Sequence, residues 1–313
     1  QTVRIKFNNI LTVYLFLYPR TASWPLIASP IPIVLILGIY LYFVNSYGPL
    51  MMMYIKPFQL KKIMLLYNAG QVFSCAYAFQ LAWWGHYRMI CEPVDYSYDE
   101  RALEIARIVN FFMYLKLADL LDTVFYVLRK KNSHITFLHV YHHVGMVITG
   151  WISTKYVAGG HGTMLGLINS IVHVVMYSYY FLTLLDENHK KSMWWKKYIT
   201  QLQLLQFVLN VYHFSTVLIV SDCAYPRWAA LVTIPQAFMM IVLFTDFYIK
   251  DYLKPVVKQA DKNTKGTKAA AEDFVNKDEN KLKKKWKKDW LLRYLHNDIN
   301  LIKLSFTKSF AFI

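Results

Sequence analysis

Seven stretches of about 20 mostly apolar residues recur along this 313-residue chain, near positions 26–46, 63–87, 108–128, 137–157, 163–185, 199–220 and 228–249. Twenty helical residues rise about 30 Å, the depth of a bilayer's hydrocarbon core, where a backbone must satisfy its own hydrogen bonds. The pattern predicts an all-α membrane protein with seven transmembrane helices. Composition agrees: at 56% hydrophobic and 17% aromatic residues, with mean hydropathy +0.26, the chain is too apolar for an ordinary soluble protein. The fourth window is the weakest because its polar residues are many. No internal repeat is visible, and no nucleic-acid partner is expected. The sequence opens on Gln1 rather than Met, and residues 1–23 do not read as a cleavable signal peptide.

Orientation follows from the positive-inside rule. Arg129, Lys130 and Lys131, the run Lys190, Lys191, Lys196 and Lys197, and the tail beyond Lys250 form a basic side, whereas the alternate loops hold only Lys155 and only Arg227. The loop from Arg88 to Arg107 is ambiguous by basic count but carries five acidic residues. The basic side is expected to be cytosolic, which places the N-terminus in the lumen and the C-terminus in the cytosol. Cys75 then lies within the second span, while Cys91 and Cys223 share the oxidising side. A luminal disulfide between them is expected; two separate thiols are the alternative, because sequence does not supply geometry.

Polar residues inside the spans mark a site. His139, His142 and His143 stand at helical spacing i, i+3, i+4, so their rings share one face. Span three adds Lys116, Asp119, Asp122 and Thr123; span five adds Asn169 and His173; span six adds Thr200, Gln203 and Gln206. Most lie about 10–20 Å from the basic boundary at 1.5 Å per residue. Groups so expensive in hydrocarbon should face and pair with one another, which describes one site open to the cytosol with an apolar pocket beyond it. Taken singly, each has a plainer reading. Lys116 with Asp119 can be a packing ion pair, the span-six residues interhelical glue, and Tyr177, Tyr179 and Tyr180 interface anchors. His134, His161 and His189 fall in loops and are expected to be solvated; His213 stays open.

Clustered histidines serve several chemistries. A di-iron desaturase or hydroxylase needs six or more ligands and several histidine boxes, and this chain has one. A zinc site needs three protein ligands, which His139, His142 or His143, and His173 can supply. Acyl transfer needs no metal, only a neutral imidazole attacking a thioester. A seven-helix receptor is the reading from another class; its usual tripeptide and NPxxY signals are missing, and the polar cluster lies toward the wrong face.

The motifs narrow this choice. KLADLLDT from Lys116 to Thr123, followed by VFYVLRKK, resembles the KxxExxDT segment of the very-long-chain fatty acid elongases. HVYHH from His139 to His143 is similar to their HxxHH box, NSIVHVVMYSYY from Asn169 to Tyr180 to NxxxHxxMYxYY, and TQLQLLQ from Thr200 to Gln206 to TxxQxxQ. One position departs: Asp119 stands where the family usually has Glu, retracting the carboxylate by one methylene.

The resemblance implies a 3-ketoacyl-CoA synthase of the endoplasmic reticulum membrane. It would join a long acyl-CoA with malonyl-CoA and release CO2 and CoA, without a cofactor or metal. Its implied fold is a six-helix barrel of spans two to seven around an acyl tunnel, with span one outside. The implied domains are a luminal segment 1–23, the elongase domain 24–250, and a basic cytosolic tail 251–313. His142 is the expected nucleophile, with His173 binding the incoming thioester and His139 and His143 tuning orientation and basicity. Asn169 and Tyr177 are candidate donors to a developing oxyanion. Lys116, Asp119, Asp122 and Thr123 support the histidines, and Thr200, Gln203 and Gln206 line the substrate passage. Arg129, Lys130, Lys131, Lys196 and Lys197 face the CoA phosphates, or simply obey the positive-inside rule. Expected partners are membrane lipid, the ketoacyl-CoA reductase, dehydratase and enoyl-CoA reductase of the cycle, and a second copy in a homodimer. In the tail, 256–281 is polar and reads as disordered. KLKKKWKKDWLLRYL from Lys281 reads as a basic amphipathic helix on anionic lipid or as a solvated charged segment.

Overall fold

The computed structural model describes residues 19–84, 89–186, 193–254 and Lys284, and among these there is no strand. The tail segment 256–281 and, apart from Lys284, the segment 281–295 lie outside the described residues, as do His189, Lys190 and Lys191. The chain divides into two compact units, Gln1–Tyr248 and Ile249–Ile313; of the second, Ile249–Leu253 is a π-helical turn.

Each of the seven apolar windows falls on a helix. After a single turn at Pro19–Ala22, α1 (Ile31–Tyr42) runs through a π segment, Phe43–Tyr47, into α2 (Gly48–Tyr54). Then come α3 (Lys61–Trp84), α4 (Glu100–Leu128), α5 (Phe137–Tyr156), α6 (Thr163–Leu185), α7 (Met193–Ile219) and α8 (Arg227–Tyr248). The first helix starts later than its apolar window because Pro30 and Pro32 frame its N-terminus, where proline is preorganised. Helix α4 begins eight residues ahead of its window, and this added stretch is polar, with an exposed Arg107–Glu100 ion pair at 2.7 Å.

By length and composition, four helical runs can cross a membrane: Ile31–Tyr54, Gly160–Leu185, Trp195–Ile219 and Arg227–Leu253. Helices α3, α4 and α5 have the length, at 24, 29 and 20 residues. They are less apolar because they carry Tyr67, Asn68 and Gln71, then Lys116, Asp119 and Asp122, then the three histidines.

Local chemistry sets two boundaries beside the polar cluster. Thr136 caps α5, its hydroxyl accepting the His139 backbone N–H at 3.2 Å, so the histidines begin in the first helical turn. Helix α4 ends in a Schellman turn: Lys130 adopts φ 55°, its N–H reaches Val127 O at 3.0 Å, and Lys131 N–H reaches Tyr126 O at 2.8 Å. A left-handed lysine is unusual, and here it brings three consecutive cations to the helix end.

Packing runs pairwise: α3 against α6 and α4, α6 against α7, α7 against α8, α8 against α5, and α5 against α4. Along α1 and its continuation, Ile33, Leu37, Tyr40, Val44 and Met52 form one buried stripe, sharing a core with Met113, Leu120 and Val127 of α4 and Val147 of α5. Gly48 lets this element come close, since a Cβ there would lie 2.7 Å from Val127 Cγ1.

At the other end of α4, Cys91 and Cys223 are bonded, with Cα atoms 5.4 Å apart and 132 residues between them in sequence. The loop before α6 folds against this bridge. Gly159 and Gly160, at φ 112° and 60°, turn the chain inward, and a Cβ on Gly160 would lie 2.8 Å from the Pro93 carbonyl. His161 is therefore not solvated, as its loop position suggested: its exposure is 0%, and its ring stacks on His213 at 3.6 Å. Each histidine's Nε2 donates to the other's carbonyl, at 2.9 and 3.1 Å. His134, by contrast, is exposed.

Candidate active site

Lys116 is the hub of the buried polar cluster. It lies one turn from Asp119 on α4, is 1% exposed, and rests over the Phe112 ring at 4.9 Å. Its ammonium has three protons and finds three acceptors: Asp119 Oδ2 at 2.8 Å, Asn169 Oδ1 at 2.8 Å and His173 Nδ1 at 3.3 Å. Because the lysine donates to Nδ1, His173 is a neutral imidazole whose proton is on Nε2. This makes His173 a hydrogen-bond donor at its remaining nitrogen.

The carboxylates are held from α6 and α3. Tyr177, 0% exposed, has one proton between Asp122 Oδ2 at 2.6 Å and Asp119 Oδ1 at 3.0 Å. Gln71 of α3 donates to the same Asp119 oxygen at 2.8 Å, and to Tyr67 Oη at 3.1 Å. Asp119 thus has three donors despite its shorter arm. Tyr67 donates to the Ala118 carbonyl at 3.2 Å and meets Tyr177 Oη at 3.4 Å. Asn68 is also buried beside this face of α3, its Nδ2 without a partner among the described residues.

The histidine box continues the cluster onto α5. His139 Nε2 meets Thr123 Oγ1 at 3.0 Å, and that hydroxyl meets Tyr40 Oη of α1 at 2.7 Å. The rings of His139 and His143 pack edge to face at 4.3 Å, and His142 contacts His143 at 5.5 Å and Phe207 of α7 at 6.4 Å. Among the described residues the His142 ring makes no hydrogen bond.

Apolar space lies on two sides. Between Lys116 and the disulfide end is a cavity of about 40 Å³ lined by Ala78, Ile108, Phe112, Gly150, Gly166 and Ser170. On the opposite face of α5, a groove of about 890 Å³ runs along Val140, Val144 and Ile148 toward Trp228 and Val232 of α8. Tyr141 bridges the two helices by donating to Gln236 Oε1 at 2.6 Å.

The remaining sequence candidates sit apart from these bonds. Gln203 reaches Met176 Sδ at 3.6 Å, Gln206 is buried, and Thr200 donates to the Lys196 carbonyl of its own helix at 3.0 Å. Arg129 donates to Met64 Sδ at 3.2 Å, while Lys130, Lys131, Lys196 and Lys197 are exposed. The structure adds Tyr67, Asn68, Gln71 and Tyr40, which the sequence reading passed over. Three of them were signalled as polar residues inside an apolar window; Tyr40 carried no comparable signal. Among the described residues no three His, Cys, Asp or Glu side chains are placed to hold a metal ion.

Comparison with known proteins bears on this arrangement. Residues 25–260 match the family model ELO, the GNS1/SUR4 family. The chain is 43% identical over 242 residues to very long chain fatty acid elongase 7 of Rattus norvegicus, covering 75% of this chain and 86% of that protein. It is 38% identical over 284 residues to elongase 4 of Mus musculus, covering 88% and 90%. Human elongase 4 is 40% identical over 247 residues, 78% of each chain. The matched region contains every residue of the buried cluster, from Tyr40 through the histidine box to Gln206, and the chain belongs to the ELO (GNS1/SUR4) family.

Proposed function

We propose that this protein is the condensing enzyme of fatty acid elongation in the endoplasmic reticulum membrane, a 3-ketoacyl-CoA synthase that adds two carbons to a long acyl-CoA. The observation that carries this reading is a buried Lys116–Asp119–Asn169–His173 network beside a histidine box on α5, whose His139 bonds Thr123 of α4, the same helix that carries Lys116. Seven spans are read, with α3 to α8 as a barrel; the pairwise order of helix packing supports it. The basic loops face the cytosol, and the Cys91–Cys223 bridge faces the lumen.

The reaction runs in two stages. A neutral His142 attacks the acyl thioester carbon; the C–S bond breaks, CoA leaves and takes the imidazole proton, and an acyl-imidazole remains. Malonyl-CoA then loses CO2 from its carboxylate. The resulting enolate carbon bonds to the acyl carbon as the C–N bond breaks, and a proton from water restores His142. His173, held as the Nε2–H form by Lys116, donates to the enolate oxygen, and Asn169 and Tyr177 fix the elements around it. Arg129, Lys130, Lys131, Lys196 and Lys197 attract the CoA phosphates, and Gln203 and Gln206 line the passage. No metal or cofactor takes part. The product feeds a reductase, a dehydratase and a second reductase, and a homodimer and membrane lipid complete the partners.

Purified protein in lipid nanodiscs, given labelled malonyl-CoA and a panel of acyl-CoAs, should release labelled CO2 and form 3-ketoacyl-CoA two carbons longer. Metal chelation should leave the yield unchanged. Absence of product with every acyl-CoA, or activity that follows removal and return of bound iron or zinc, would overturn the reading.

A further inference from the structure

We propose that Tyr40, on the first helix, is a positioning residue that fixes the tautomer of His139 through Thr123. Helix α1 has the look of a packing element, and its buried stripe is otherwise apolar: Ile33, Leu37, Val44 and Met52. Tyr40 is the exception. Its ring is 6% exposed, and its hydroxyl lies 2.7 Å from the fully buried Thr123 Oγ1, which lies 3.0 Å from His139 Nε2.

Proton counting gives this chain a direction. Each hydroxyl has one proton to donate. Among the described residues Thr123 is the hydrogen-bond partner of Tyr40 Oη, so a phenol proton turned elsewhere would be buried and unsatisfied. Tyr40 therefore donates to Thr123, Thr123 donates onward, and His139 Nε2 accepts. His139 is then neutral with its proton on Nδ1, the opposite tautomer to His173. Its ring, edge-on to His143 at 4.3 Å, is locked in that orientation. The placement of Tyr40 is itself built: the π segment that follows it and the close approach at Gly48 set the register of α1 on α4.

The kinetic arm of the test rests on the elongase reading, whereas the spectroscopic arm does not. With ¹⁵N-histidine-labelled protein in nanodiscs, the wild type should show His139 as the Nδ1–H tautomer, its acceptor nitrogen shifting in both Tyr40→Phe and Thr123→Val and staying in place in Tyr42→Phe. In condensation assays Tyr40→Phe should lower kcat about tenfold with KM for both substrates within about twofold. The Tyr40→Phe/Thr123→Val double variant should be no slower than Thr123→Val alone, and Thr123→Ser should restore the rate. Histidine resonances unmoved by Tyr40→Phe, or losses that multiply in the double variant, would overturn the proposal. An inactive wild type whose histidine signal still moves would instead refute the elongase reading and leave the relay standing.

Discussion

The two ends of the bundle are held by different kinds of bond. In the polar cluster, side chains bond to side chains: Lys116 to Asp119 and Asn169, Tyr177 to Asp122, Gln71 to Asp119. At the disulfide end, side chains bond mainly to backbone carbonyls. Tyr114, Trp151 and Lys155 donate to the carbonyls of Pro25, Leu26, and Ile27 with Ala28. Arg20 donates to Asp95 and Ala158, and His161 and His213 to each other's main chain. A carbonyl is offered by any residue, so the cap tolerates substitution on one side of each contact. The cluster needs particular residues on both sides of each contact.

That contrast predicts unequal responses to mutation. His142→Ala removes the proposed nucleophile and should lower condensation by at least about 10³-fold. It should also erase the burst of up to one equivalent of CoA that acyl-CoA alone releases from the wild type. Mass spectrometry of the wild type should find the acyl group on a peptide containing residues 139–143. Acylation should fail at acid pH, since a protonated imidazole has no lone pair. An undiminished CoA burst in His142→Ala would remove that residue from the mechanism. Substrate order that requires malonyl-CoA before any CoA appears would favour a noncovalent route.

Lys116→Met comes next. It removes one partner from three buried acceptors and leaves Asp119 as an uncompensated charge, so about 3–5 kcal/mol of stability should be lost. Adding Asp119→Leu should recover part of that loss while activity stays absent. Thermal unfolding in detergent reads the first effect and product formation the second. Equal destabilisation in the single and double variants would mean that the ion pair is not what Lys116 contributes.

The same contrast explains what was legible in the sequence. The four motifs were visible because each member of the cluster has an identity: a lysine three residues from an aspartate, or histidines at i, i+3, i+4, can be read one helix at a time. The meeting of α4 with α6, and of α4 with α5 at Thr123 and His139, was legible as well, since intramembrane polar groups have nowhere else to go, whereas the α7 residues Thr200 and Gln203 bond elsewhere. The α3 contribution was harder, because Tyr67, Asn68 and Gln71 carry no charge and no motif set them apart. Tyr40 looked like any aromatic of an apolar helix until Thr123 stood opposite it. His161 was misread because a loop position was taken for exposure, and the two glycines that turn it inward signal flexibility as readily as burial. The carbonyl-bound cap was illegible in principle: nothing in the identities of Pro25 to Ala28 tells which side chain will find them. Only Cys91 and Cys223, as a possible pair on one face, hinted that these loops meet.

Breaking that bridge should therefore affect stability more than catalysis. Cys91→Ser with Cys223→Ser should cost about 2–4 kcal/mol, the range for releasing a long loop, and leave kcat within about threefold. Non-reducing peptide mapping checks the bond itself, and alkylation of both cysteines in the unreduced protein would remove it. A tenfold fall in kcat at full folding would show that the cap also shapes the site.

The smallest effect belongs to Asp119→Glu, which restores the residue usual in the elongases. The side chain is buried and its carboxylate already meets Lys116, Gln71 and Tyr177, so an added methylene must be absorbed rather than simply extended. Overpacking of this kind costs about 1–3 kcal/mol where nothing moves. Two of the three partners can give way: the lysine has four rotatable methylenes, and Gln71 can retract along α3. Tyr177 cannot, because its ring is fixed against His173 and Tyr180. The substitution should therefore shift the burden from Tyr177 toward Lys116, keep kcat/KM within about threefold and lower stability by no more than about 1 kcal/mol. A loss above tenfold, measured as product formation at matched protein folding, would mean that this chain's network is tuned to the shorter acid and that Tyr177, not Lys116, sets the position of the carboxylate.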